Sequence, residues 1–168
     1  MRLLALRLCL FAVSAHASSG GYTSVPASGC NGCHFLGTAR VVTVASDDAS
    51  PDPGQTVNLT ITISTPNGAY AGFNLKASAG TLSTIDPNAK VVGAEVTQSA
   101  PAVENASGLV VFTARWTAPT AIGTYTLSAW GNSVNRGFGT NGDSSSLGTL
   151  SLCTNSTRAR PLDDDCDG

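Results

Sequence analysis

The stretch Thr56–Ser64, with the sequence Thr-Val-Asn-Leu-Thr-Ile-Thr-Ile-Ser, alternates apolar and polar residues along its whole length. Its apolar residues occupy every second position: Val57, Leu59, Ile61 and Ile63. Successive side chains of an extended chain point to opposite faces, so all four would project to one side. The stretch therefore predicts a β-strand with one buried face and one face in water.

The same alternation returns along the chain, most clearly in residues 73–79 and 110–116. Weaker alternation marks three further stretches that we expect to be strands: residues 40–45, 91–97 and 147–152. Clusters of turn-forming residues separate these stretches, as in residues 47–54, which contain two prolines and a glycine. About seven short strands predict an all-β fold, an immunoglobulin-like β-sandwich over residues 38–152.

Tyr125 lies two residues after Gly123, at the predicted start of a strand that continues through Leu127 and Ala129. Such a position is typical of the tyrosine corner, in which the phenolic hydroxyl bonds to the preceding backbone. We expect Tyr125 to make this bond.

The composition is that of a single weakly charged domain. The chain has 168 residues, of which 42% are hydrophobic and 12% charged, and its net charge is -2. With 9 Lys and Arg against 11 Asp and Glu, it offers no basic surface for a phosphate backbone. We therefore expect no nucleic-acid partner.

Residues 1–17 are predicted to be a secretory signal. Arg2 and Arg7 supply the positive region, residues 8–13 the short apolar core, and Ala15–Ala17 the small-residue cleavage site. The apolar run is far shorter than the roughly 20 residues that span a bilayer, so we expect no membrane span in the mature chain. Cleavage after Ala17 predicts a secreted, periplasmic or cell-surface protein.

Removal of the signal would also remove Cys9 and His16. Of five cysteines and two histidines, four cysteines and one histidine, His34, would remain. With His34 assigned to the motif described next, no histidine is left for acid-base work, and no nucleophile triad or acidic pair is apparent. We therefore expect that the protein is not an enzyme.

The most specific chemical signal is Cys30-Asn31-Gly32-Cys33-His34. In a CxxCH motif the two thiols add to the vinyl groups of a haem and the histidine ligates the iron. The motif predicts covalent haem c on Cys30 and Cys33, with His34 on the iron. Two other interpretations stay open: a Cys30–Cys33 disulfide, or a zinc site completed by Cys153, Cys166 or a carboxylate.

The segment that carries this motif, residues 18–37, is too short to fold alone as a cytochrome. A haem attached there needs support from the β-sandwich that follows or from a neighbouring copy of the protein. We therefore name a redox partner or further copies of the chain, in a homo-oligomer or filament, as the expected partners.

Residues 153–168 form an Asp-rich tail. Its carboxylates Asp163, Asp165 and Asp167, followed by Gly168, fit the first half of a calcium-binding loop and are candidate calcium ligands. The alternative is an acidic tail that binds no cation. We expect a disulfide between Cys153 and Cys166 to join this tail to the last strand.

Five short motifs occur along the chain: CxxCH after the signal, Pro53-Gly54-Gln55-Thr56, Gly72-Phe73, Ala129-Trp130-Gly131-Asn132 and Asn141-Gly142-Asp143. Together they resemble the exported bacterial family called choice-of-anchor V, which is distantly similar to reelin-type sandwich domains. The resemblance covers roughly residues 29–152 and implies a cell-surface or extracellular protein with a haem-attachment motif, without a known reaction. The tail is similar to the DxDCDG metal-binding repeats of exported bacterial proteins.

Two functional hypotheses follow. The first is an exported single-haem c-type cytochrome-like protein that transfers electrons or binds a ligand at its haem. The second is a haem-free structural or adhesive surface β-sandwich in which the CxxC is a disulfide.

Overall fold

The computed structural model describes residues 19–24, 29–32, 34–37, 40–65, 70–135 and 141–155. The predicted signal at residues 1–17 lies outside this part of the chain. Within it, a 3-10 turn at Gly29–Gly32 precedes eleven strands. The strands are β1 Phe35–Leu36, β2 Val42–Ser46, β3 Thr56–Ser64, β4 Tyr70–Ala77, β5 Thr81–Ser83, β6 Ala89–Val92, β7 Glu95–Gln98, β8 Ala102–Val103, β9 Leu109–Thr117, β10 Gly123–Val134 and β11 Asn141–Thr154.

The strands form two sheets. The larger sheet has the order β1-β11-β10-β4-β7-β6, with β8 also paired to β4, and the smaller sheet has the order β2-β3-β9-β5. All pairs are antiparallel except β1 and β11. The predicted all-β, immunoglobulin-like sandwich is therefore confirmed. No helix in the described ranges has the length and apolar character needed to cross a membrane.

The strand β3 has the bounds that its sequence predicts. Its four apolar side chains are at most 2% exposed and pair across the sheet with β9, where Phe112 and Trp116 are fully buried. Phe112 stacks on Phe73 of the larger sheet with ring centroids 4.4 Å apart, so the core lies between the two sheets. The buried indole of Trp116 donates a hydrogen bond to the Ala79 carbonyl at 2.8 Å.

The predicted corner at Tyr125 is also present. Its hydroxyl donates to the carbonyl of Ala121 at 2.9 Å, and its ring lies 5.9 Å from that of Trp116. This bond fixes the loop by which the chain leaves the smaller sheet and enters β10.

Residues 91–97 differ from the prediction of one strand, because they contain the turn of a hairpin between β6 and β7. Val92 pairs with Glu95 across Gly93 and Ala94, and Gly93 has φ +62°. That conformation is readily accessible to glycine, so the chain reverses where the apolar pattern alone indicates continuation. The other three additions to the seven expected strands are β1, β5 and β8, which have only two or three residues each.

Part of the larger sheet is covered on both faces. In β4, the five residues Ala71–Leu75 are all buried, whereas β3 alternates between buried and exposed positions. Asn74 points away from the core, and its amide donates to the Tyr22 carbonyl at 3.1 Å and to Glu95 at 2.7 Å. The segment before β1 thus lies on the outer face of this sheet.

Candidate functional site

The CxxCH motif begins in the 3-10 turn and ends at the start of β1. The amide of His34 donates to the carbonyl of Cys30 at 2.9 Å, which closes one turn between these two residues. Cys30 is half-buried, and Cys33 lies outside the described residues. This backbone bond places Cys30 and His34 one turn apart, as they must be if both are to bind the same haem.

Trp130 supports this turn from below. Gly29 is buried with φ +64°, and a Cβ atom on it would overlap the indole carbons of Trp130. Trp130 belongs to β10 and lies on the outer face, because its neighbours Ala129 and Gly131 face the core. Glycine at position 29 therefore allows both the left-handed backbone and the close approach to the ring.

Strand β1 attaches the motif to the edge of the larger sheet. Leu36 pairs with Asp143 in a parallel register, and the amide of Gly37 donates to the Asp143 carbonyl at 3.0 Å. The chain on both sides of His34 is thus held, by the turn before it and by β11 after it.

The imidazole of His34 is bonded to the carboxylate of Asp143. His34 Nδ1 lies 2.9 Å from Asp143 Oδ2, and the two side chains are 12% and 3% exposed. The other carboxylate oxygen, Oδ1, accepts the amide of Asn135 at 3.2 Å. A carboxylate that accepts from Nδ1–H leaves Nε2 as the ring nitrogen able to bind a metal.

Arg40 lies beside this pair. It is 5% exposed, and its Nε and Nη1 atoms have no hydrogen-bond partner among the described residues. Burial lowers the pKa of Arg40 from its usual value, and the nearby charge of Asp143 opposes this effect.

Of the other predicted site residues, only Cys153 belongs to the described part of the chain. Asp163, Asp165, Asp167 and Cys166 are outside the described residues, so the calcium site and the tail disulfide stay predictions. Cys153 is buried near the end of β11. Among the residues described, no three His, Cys, Asp or Glu side chains come together as a metal site, and Cys33, needed for zinc, is not among them.

The sequence did not assign a role to Asp143, Arg40 or Trp130. Asp143 and Trp130 stand in motifs that carried only the family resemblance, and Arg40 stands in a weak strand pattern. Asp143 is 109 residues from His34, so the register of β1 on β11 was needed to bring them together. The one indication of a role for Asp143 in the sequence was that it is the only acidic residue in the Ser-rich stretch 141–146.

The donor set fits a covalently bound haem. A thiol and an imidazole lie on one turn, the imidazole is oriented by a carboxylate, and apolar surface is at hand. Leu147, which pairs with Trp130 across β10 and β11, is 46% exposed on that outer face. Cys30, Cys33 and His34 would hold the group, and the sheet would support it.

Comparison with solved structures identifies the fold. The human F-spondin reeler domain (fragment 1) is similar with 21% identity and a TM-score of 0.51, over 71% of this chain and 91% of that one. The Reelin-N domain of F-spondin is similar with 20% identity and a TM-score of 0.50, over 74% of this chain and 94% of that one. No protein-family model matches the chain, and no curated protein matches it.

These likenesses show the fold alone. The chain is a reeler-like β-sandwich, which confirms the reelin-type part of the resemblance seen in the sequence. Neither likeness bears on the CxxCH motif.

Proposed function

We propose that this protein is an exported single-haem c-type cytochrome-like protein that transfers electrons, or binds a ligand at its haem, at the cell surface. The observation that supports this most directly is the 2.9 Å bond between His34 Nδ1 and Asp143. Histidines that bind metals usually donate their second ring N–H to a carboxylate or carbonyl, which fixes the ring and strengthens the ligand.

In this proposal Cys30 and Cys33 bind the porphyrin and His34 Nε2 binds the iron. The haem supplies one-electron chemistry. Asp143 orients the imidazole, and Trp130 supports the turn that carries the cysteines. No catalytic residue is assigned, and the choice-of-anchor V family remains part of the proposal.

Apart from His34, the chain after the predicted cleavage offers no methionine or histidine that would ligate a haem iron. The chain contains one methionine and two histidines, and predicted cleavage after Ala17 leaves neither Met1 nor His16. We expect an isolated monomer to carry a five-coordinate or weakly ligated haem that binds carbon monoxide. A redox partner or an adjacent copy of the chain would then dock at the exposed haem edge.

The proposed export and the tail complete this assignment. The predicted signal would direct the chain to the oxidising compartment where bacterial haem c is attached. Asp163, Asp165 and Asp167 would add a calcium site, and a Cys153–Cys166 disulfide would hold the tail.

The test is production of the full chain together with the cytochrome c maturation machinery. A Soret band that stays with the polypeptide after denaturation is expected, and it should be lost from a control with Cys30→Ala and Cys33→Ala. His34→Ala should keep the sandwich folded and change the spectrum. Absence of covalent haem in the parent would contradict the proposal and favour the haem-free surface sandwich with a CxxC disulfide.

A further inference from the structure

Arg40 is a buried cation at the point where the two sheets meet. It precedes β2 at the edge of the smaller sheet, and β2 packs tightly on β11, where a Cβ atom on Gly148 would lie 2.5 Å from the Val42 carbonyl. Lys76, Lys90 and Arg115 are exposed, so within the described ranges Arg40 is the one buried cation. In the described part of the chain, a buried basic side chain is therefore found only beside the His34–Asp143 pair.

The guanidinium of Arg40 has unused hydrogen-bonding capacity. Nε carries one hydrogen and Nη1 carries two, and neither nitrogen has an acceptor among the described residues. Asp143 is the nearby anion, yet its two oxygens accept from His34 and from the Asn135 amide. No ion pair joins Arg40 to Asp143 within 4.0 Å, in the part of the chain described. Two buried guanidinium nitrogens without acceptors are costly, so an anion that accepts hydrogen bonds from them would stabilise the fold.

His34, Gly37 and Arg40 all interact with Asp143. His34 bonds to the Asp143 side chain, the Gly37 amide bonds to its carbonyl, and the charge of Asp143 acts on Arg40. A group bound at His34 would therefore lie in the same part of the molecule as Nε and Nη1 of Arg40.

We propose that Arg40 is an anion-binding residue that holds a propionate carboxylate of the haem attached at Cys30 and Cys33. The inference rests on the proposed function, since the haem brings the carboxylate. Arginine pairs well with carboxylates, because its planar array of N–H donors matches their oxygens. Arg40 would thus hold the haem at its propionate side, in addition to the attachment at Cys30, Cys33 and His34.

The experiment compares Arg40→Met with the parent, each as the full chain with haem attached and as the full chain made without the maturation machinery. Arg115→Met is the matched control, because Arg115 is exposed on β9 and bonds only to the Asn58 side chain at 3.2 Å among the described contacts. The measurements are the thermal midpoint of each form and the propionate bending band in the resonance Raman spectrum.

We expect Arg40→Met to change the thermal midpoint in opposite directions in the two forms. Arg40→Met should lower the midpoint of the haem form, because a pair is lost, and raise that of the haem-free form, because an unpaired charge is removed. The propionate band should move to lower frequency in Arg40→Met and stay in place in Arg115→Met.

The same sign of change in both forms, with an unmoved propionate band, would overturn the role of Arg40 and leave the haem assignment intact. Stabilisation of the haem-free parent by added acetate, with no propionate shift in the haem form, would show a site for free carboxylates and would also overturn it. A parent chain that attaches no haem would overturn the proposed function, and this inference with it.

Discussion

The two sheets of the sandwich differ in what lies on their outer faces. The smaller sheet leaves its outer face to water, so that β3 and β9 alternate regularly between buried and exposed residues. The larger sheet carries the CxxCH turn and the preceding segment, so that Asn74 and Asp143, which belong to its outer face, are buried. Both sheets contribute to the core between them, and the covered part of the larger sheet carries the candidate site.

The largest effect is expected within the smaller sheet. Phe112→Ala should lower the free energy of unfolding by about 3–5 kcal/mol, because the ring is fully buried against Phe73. The adjacent Val111 is 45% exposed on the opposite face, and Val111→Ala should change it by less than about 0.5 kcal/mol. Urea denaturation of the full chain measures both, and equal losses would contradict the one-sided character of this sheet.

The next effect tests the cover on the larger sheet. Gly29→Ala should lower the free energy of unfolding by about 2–4 kcal/mol, because the added methyl group meets Trp130 and the backbone at this position is left-handed. Gly54→Ala is the control, because Gly54 has φ +76° and nothing within 4 Å of its Cβ position. That variant should lose only about 1 kcal/mol from backbone strain. If the two losses are the same in denaturation experiments, the turn does not pack on Trp130.

Asp143→Asn tests the contribution of Asp143 to stability and, separately, to the reduction potential of the haem form. The amide keeps the shape of the carboxylate and removes its charge, so the loss of stability should be about 1–3 kcal/mol. In the haem form the cysteines should keep the haem attached, and the reduction potential should rise because the His34 ligand becomes less basic. Redox titration followed by absorption is the measurement. A potential equal to that of the parent would argue against an orienting role for Asp143.

The smallest effect is at the corner between the sheets. Tyr125→Phe removes the bond to the Ala121 carbonyl and should cost about 0.5–1.5 kcal/mol in thermal or urea unfolding. Tyr22→Phe, at a tyrosine that is 62% exposed, should cost less than about 0.5 kcal/mol. A larger loss at Tyr22 than at Tyr125 would mean that the N-terminal segment, and not the corner, limits stability.

The same difference between the sheets explains what could be predicted from the sequence. Strand β3 has a simple period of two because only one of its faces is buried, and Thr56–Ser64 was predicted with its observed bounds. The alternation places Asn74 on the face turned away from the core and does not show that this face is covered, so the burial of Asn74 could not be predicted. The motif residues Cys30, Cys33 and His34 follow from local spacing, whereas Asp143 and Arg40 depend on strand register and packing between distant segments.

The parallel pairing of β1 with β11 also has a consequence for the order of events during biosynthesis. His34 precedes Asp143 by 109 residues, so in export that begins at the N-terminus the motif would reach the oxidising compartment before the strand that holds it. Until β11 follows, the thiols would stay open to the attachment machinery of the proposed function, and afterwards the docked turn leaves Cys30 half-buried. Haem loading would then precede closure of the sheet edge, so a chain that folds first would be a poor substrate for maturation.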